Sequence, residues 1–142
     1  QWQLVGGSAN LIEACEDATR QLSDHTSSLE SLVSYYVSSL KDVDRLHREF
    51  HEFGSDFAVL DDLLKPAVSK ADKAYLKLMT EVQSVYLRHL EKSGWPAAGF
   101  SSNAATFDRV VTPRLQESGR RVAYIMIDAL RYELGIALQR EL

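Results

Sequence analysis

The chain has 142 residues, 45% hydrophobic and 25% charged, with a formal net charge of -4. That suits one soluble domain of ordinary size with enough apolar material for a core. It gives no basic footprint for nucleic acid, and no apolar run nears the roughly 18 residues a membrane helix needs. No basic, apolar leader opens the chain, so no signal peptide is expected. The chain starts at Gln1 without an initiator methionine, which suggests a fragment or a processed chain. The one cysteine, Cys15, cannot form an internal disulfide and reads as a small buried hydrophobe, which fits a reducing, cytoplasmic setting.

Residues 8 to 117 read as helix almost throughout. Leu11, Ile12, Cys15, Ala18 and Leu22 recur at spacings of three and four, which predicts a helix from Ser8, as N-cap, to Leu22. "SDHTS" breaks it, and Ser27 with Glu30 reads as a capping box. The second helix carries Leu29, Leu32, Val33, Tyr36, Val37 and Leu40 on its inner face. A third is expected to start at Asp42, with Val43, Leu46, Phe50 and Phe53 as its stripe and Gly54 as its stop. A short helix through "FAVLDDLL" precedes Pro66. The longest helix runs from Pro66 to about Lys92, with Val68, Ala71, Tyr75, Leu78, Val82, Val85, Tyr86 and Leu90 along one face. "GWPAAGFSSN" reads as a loop. A helix over residues 104–117 follows, which Pro113 is expected to kink or divide.

The pattern changes near residue 119. Val122, Tyr124 and Met126 would share one face of a strand; Ala123, Ile125 and Ile127 would share the other. Both faces are largely apolar, the pattern of a strand buried on both sides in a parallel sheet. A helix from Leu130 follows. The reading is therefore a helical bundle over 1–118, then a single β-strand and helix over 119–142 that begin an incomplete α/β domain. Asp128 closes the expected strand. Two compatible readings stand for it: an N-cap for the next helix, or a functional carboxylate at the crevice where α/β sheets bind ligands.

At these residues, "IMIDALRYELG", the sequence resembles the start of the PglZ catalytic domain, whose D-A-L-R-Y-E motif is in place from Asp128 to Glu133. "FDRVVTPRLQESGRRVAYI" is similar to the lead-in to that domain. The resemblance implies an alkaline-phosphatase-like α/β fold and metal-assisted phosphoester hydrolysis, using zinc or a similar divalent metal. It implies bacterial anti-phage defence of the BREX and phage-growth-limitation type, in the cytoplasm, beside other defence proteins that include a DNA methyltransferase. By matching position Asp128 would be the first metal ligand. Arg131 would stay near the phosphate or pair with a carboxylate, and Tyr132 and Glu133 would fix the first helical turn. The nucleophile and remaining ligands are expected downstream of Leu142. The 142 residues alone are therefore expected to be inactive and to hold no metal.

Other clusters read as structural. "HREFHE" places His47 and His51 four apart on a helix, a spacing that can share a metal. The metalloprotease pattern needs Glu where Arg48 stands, so a solvated face is preferred. His25 and His89 have no evident partner. Lys65, Lys70, Lys73, Lys77 and Arg88 are interspersed with Asp72 and Glu81, which reads as a solvated face, not as nucleic-acid binding. Tyr35, Tyr36, Tyr75 and Tyr86 read as packing residues with a polar tip. Trp95 would plug the bundle end or anchor a partner. The alternative to the defence enzyme is a helical protein–protein interaction module without activity.

Overall fold

The computed structural model describes residues 2–55, 64–128 and 130–142. Among these, every regular element is helical. Helix α1 (Trp2–Leu22) starts earlier than its apolar spacing suggested. Ser8 is not its cap but is buried inside it, and its hydroxyl donates to the Leu4 carbonyl at 2.9 Å. That bond satisfies a polar group that would otherwise resist burial. Next to it Gly7 makes room for a long-range contact: a Cβ there would stand 3.2 Å from the ring of Phe50.

After a 3₁₀ turn (Ser23–His25), Ser28 caps α2 (Leu29–Tyr35) by accepting the Ser31 N–H at 3.1 Å. The cap falls one residue after the Ser27 expected for it. Glu30 does not close a capping box with Ser27; its carboxylate accepts the Ala98 N–H at 2.9 Å and ties the loop around Ala98 to α2. No new helix starts at Asp42. The chain passes from α2 through a π turn (Tyr36–Leu40) into α3 (Lys41–Ser55). Tyr35 and Leu40, five residues apart, are both buried. In an unbroken α-helix that spacing would point them about 140° apart. The wider turn brings both to the core.

Helix α4 (Lys65–Ser93) carries Pro66 in its first turn and ends at Gly94, whose φ of +71° suits a residue without Cβ. The helix expected through "FAVLDDLL" lies, apart from Leu64, outside the described residues. Helices α5 (Asn103–Thr106) and α6 (Thr112–Leu115) are joined by a π turn (Phe107–Val111), where the Thr112 N–H reaches back to the Phe107 carbonyl. The expected disturbance at Pro113 thus takes the form of a widened turn just before it. Helix α7 (Tyr132–Glu141) closes the chain.

Helix α1 lies along α4 and α3, and α7 packs on α3. The core joins Leu11, Cys15 and Leu22 of α1 to Leu32 of α2, Phe50 of α3 and Leu78 of α4. The helical-bundle reading of the sequence fits this arrangement. None of these helices is long and apolar enough to cross a membrane.

The strand expected over 121–127 is not formed, which overturns the incomplete α/β domain. The segment is irregular, and Ile125 and Met126 are 78% and 82% exposed. Its apolar alternation is real, but no other described segment offers a strand edge to pair its backbone. Burying unpaired N–H and C=O groups costs more than the apolar side chains return. The backbone therefore stays in water.

Candidate functional site

Helix α3 carries Asp44, His47, Arg48 and His51 at spacings of three and four, so they share one face. Its sequence suggested a solvated face. Instead, α4 and α7 cover part of it, and the covering side chains are polar.

At the inner end, Asp44 is buried. It accepts the hydroxyl of Tyr36 at 2.5 Å and that of Tyr75 at 2.9 Å. Burial, and then the Asp44 carboxylate, push both phenols well above their ordinary value. Both tyrosines are thereby fixed as neutral donors. The π turn supplies Tyr36, two turns before Asp44 in the same helical run.

One turn further along, His47 stacks on Tyr75, with ring centroids 3.7 Å apart and planes 7° from parallel. It meets His51 edge-on at 4.5 Å. Across the groove, Asp72 of α4 places Oδ1 2.8 Å from Nε2 of His51 and 3.7 Å from Nε2 of His47. Burial first, then the neighbouring His51, lower the His47 pKa, while Asp72 works in the opposite direction. His47 is thus held as a neutral imidazole at neutral pH. Two imidazoles and a carboxylate, from two helices, converge with their ligand atoms all within 4.8 Å of one another.

On the other flank, Arg48 turns away from the histidines. Its Nε donates to both carboxylate oxygens of Glu133, at 3.1 and 3.3 Å, and its Nη1 donates to Glu52 at 2.8 Å. Glu133 is only 3% exposed, so this pair clasps α7 to α3. Tyr132 adds a tilted contact to the Tyr36 ring at 6.2 Å.

The residues singled out in the motif thus separate. Glu133 faces inward to Arg48. Arg131 precedes the first turn of α7, and its charge acts on His47 and Tyr75. Asp128 lies in an exposed turn and does not cap α7, whose N-cap is Arg131. Nor does Asp128 belong to any group of three metal-capable side chains among the described residues. Those residues therefore do not complete a metal centre at Asp128.

The other histidines have local roles. His25 stacks on Tyr35 with centroids 4.2 Å apart, and the His89 ring lies 2.8 Å from the Thr26 carbonyl oxygen. Trp95 is half-exposed and tilted against Tyr86, lining an apolar hollow with Leu32, Met79 and Val82. Sequence reasoning missed Asp44 and Asp72 as partners. Asp72 stands three residues before Tyr75, which places both on one face of α4. Nothing local in the sequence says that this face meets His47 and His51.

In comparisons with protein-family models, curated proteins and solved structures, nothing matches this chain.

Proposed function

We propose that the chain is a segment of a PglZ-type bacterial anti-phage defence protein, whose full-length form is a metal-dependent phosphoesterase. In this reading the helical body acts as a scaffold. The observation that carries it is the D-A-L-R-Y-E sequence from 128 to 133, with its Glu133 clasped by Arg48 while Asp128 stays open to solvent. An anchored end beside a free carboxylate suits a motif whose acid serves chemistry elsewhere in the full-length protein. This segment alone is expected to be inactive, since among the described residues no group of three metal-capable side chains includes Asp128. The full-length protein works in the bacterial cytoplasm beside other BREX-type proteins, including a DNA methyltransferase, and this segment does not itself bind nucleic acid.

The test is hydrolysis of a model phosphodiester by the full-length protein with added divalent metal. Activity is expected, and Asp128→Ala is expected to abolish it. Retained activity in the variant removes the ligand role of Asp128. A second reading is a helical interaction module without activity. The adjoining exposed side chains of Ile125 and Met126 favour it, because apolar clusters open to water mark contact surfaces. It expects no hydrolysis under any metal.

A further inference from the structure

We propose that His47, His51 and Asp72 form a binding site for a divalent transition metal of the zinc class, which joins α3 to α4. The site is separate from Asp128 and does not depend on the PglZ reading.

Three observations converge. The donor set is right: two imidazoles and a carboxylate suit zinc and its borderline neighbours better than calcium or magnesium, which prefer oxygen alone. The spacing is right too. Ligands bonded at 2.0–2.1 Å around a tetrahedral ion lie about 3.3–3.4 Å from one another. The two separations from Asp72 Oδ1, 2.8 and 3.7 Å, bracket that edge. The third separation, between the two imidazole ligand atoms, lies within 4.8 Å, so binding an ion would draw the three groups together. Finally, the ligands are positioned in advance. Stacking on Tyr75 fixes the His47 ring, and Tyr75 is itself held by its bond to Asp44. Groups that orient a ligand in this way are a regular part of metal sites.

The charge of Arg131 opposes a cation here, and the carboxylates of Asp72 and Asp44 are set against it. His51 and Asp72 are partly open to solvent, so water can take a fourth position. The bond between His51 and Asp72 accounts for only two of the three groups, and it does not explain why His47 turns Nε2 toward the same oxygen.

The test is titration of the chelator-stripped chain with zinc by calorimetry, alongside cobalt(II) absorption and thermal melting. One ion per chain is expected, with a cobalt spectrum typical of low coordination number and a raised melting temperature. Groups that merely orient a ligand cost about 10–100-fold in affinity when removed. Loss of a ligand itself, in His51→Gln or Asp72→Asn, is therefore expected to weaken binding at least about 100-fold. Both positions are partly exposed, so the fold should survive, and circular dichroism checks this. His89→Ala, remote from the cluster, should bind normally. Absence of zinc binding by the unaltered chain overturns the assignment, as does binding that survives either ligand substitution.

Discussion

Arg48→Ala removes the partner of a carboxylate that is almost fully enclosed. Taking one member from a buried ion pair costs about 3–5 kcal/mol when the remaining charge cannot escape. Here it can: α7 packs mainly on α3 and can lift away, returning Glu133 to water. The cost is then capped by the free energy that docks α7. With this one bifurcated, charge-assisted bond lost, that is about 2–3 kcal/mol. At about 1.4 kcal/mol per decade, the opening equilibrium of α7 should rise roughly 30- to 150-fold. Amide hydrogen exchange over residues 133–141 reads this directly, while the global urea midpoint should scarcely move. Glu133→Gln should loosen α7 less, by about tenfold, because the amide still accepts one bond from Arg48 and leaves no buried charge. Arg48 also keeps Glu52 at 2.8 Å. Unchanged exchange in Arg48→Ala, or a larger effect from Glu133→Gln, would refute the clasp.

Two further outcomes follow from the core. Leu78 has no exposed surface, so Leu78→Ala should cost about 2–5 kcal/mol in urea unfolding, whereas Leu76→Ala, on the exposed side of α4, should stay within about 0.5 kcal/mol. Equal effects would mean that α4 is turned differently. For Cys15, burial and the nearby Glu16 raise the thiol from 9.0 to about 11. A raised folded value means that its stabilising share is intact below pH 9 and is lost as pH climbs toward 11, since the unfolded chain releases the proton first. The urea midpoint of the natural chain should therefore fall more steeply over that window than that of Cys15→Ala. Parallel slopes would place the thiol in contact with water.

Much of the bundle could be read from local pattern. Leu11, Cys15, Ala18 and Leu22 on α1, and Ala71, Leu78 and Val85 on α4, are both the periodic positions of the sequence and buried residues of the core. Periodicity works there because a helix that buries one face must place apolar residues every three or four positions. The reading failed where one local signal had two uses. Asp42 reads as a cap, yet the chain continues through the π turn at 36–40, because the core recruits both Tyr35 and Leu40. The alternation at 122–127 reads as a strand, yet a strand is a property of two segments.

The sequence by itself determined which residues could face inward on each helix, and where α4 begins and ends, since propensity, Pro66 and Gly94 act over a few residues. Tertiary structure alone decided that the solvated face of "HREFHE" is partly covered, at His47 and Arg48, while Glu49, His51 and Glu52 stay exposed. Asp72 is 21 residues from His51, and Glu133 is 85 from Arg48. No short-range rule couples such positions. Helix packing brings them together, and the desolvation of charges on that face then requires the partners they find.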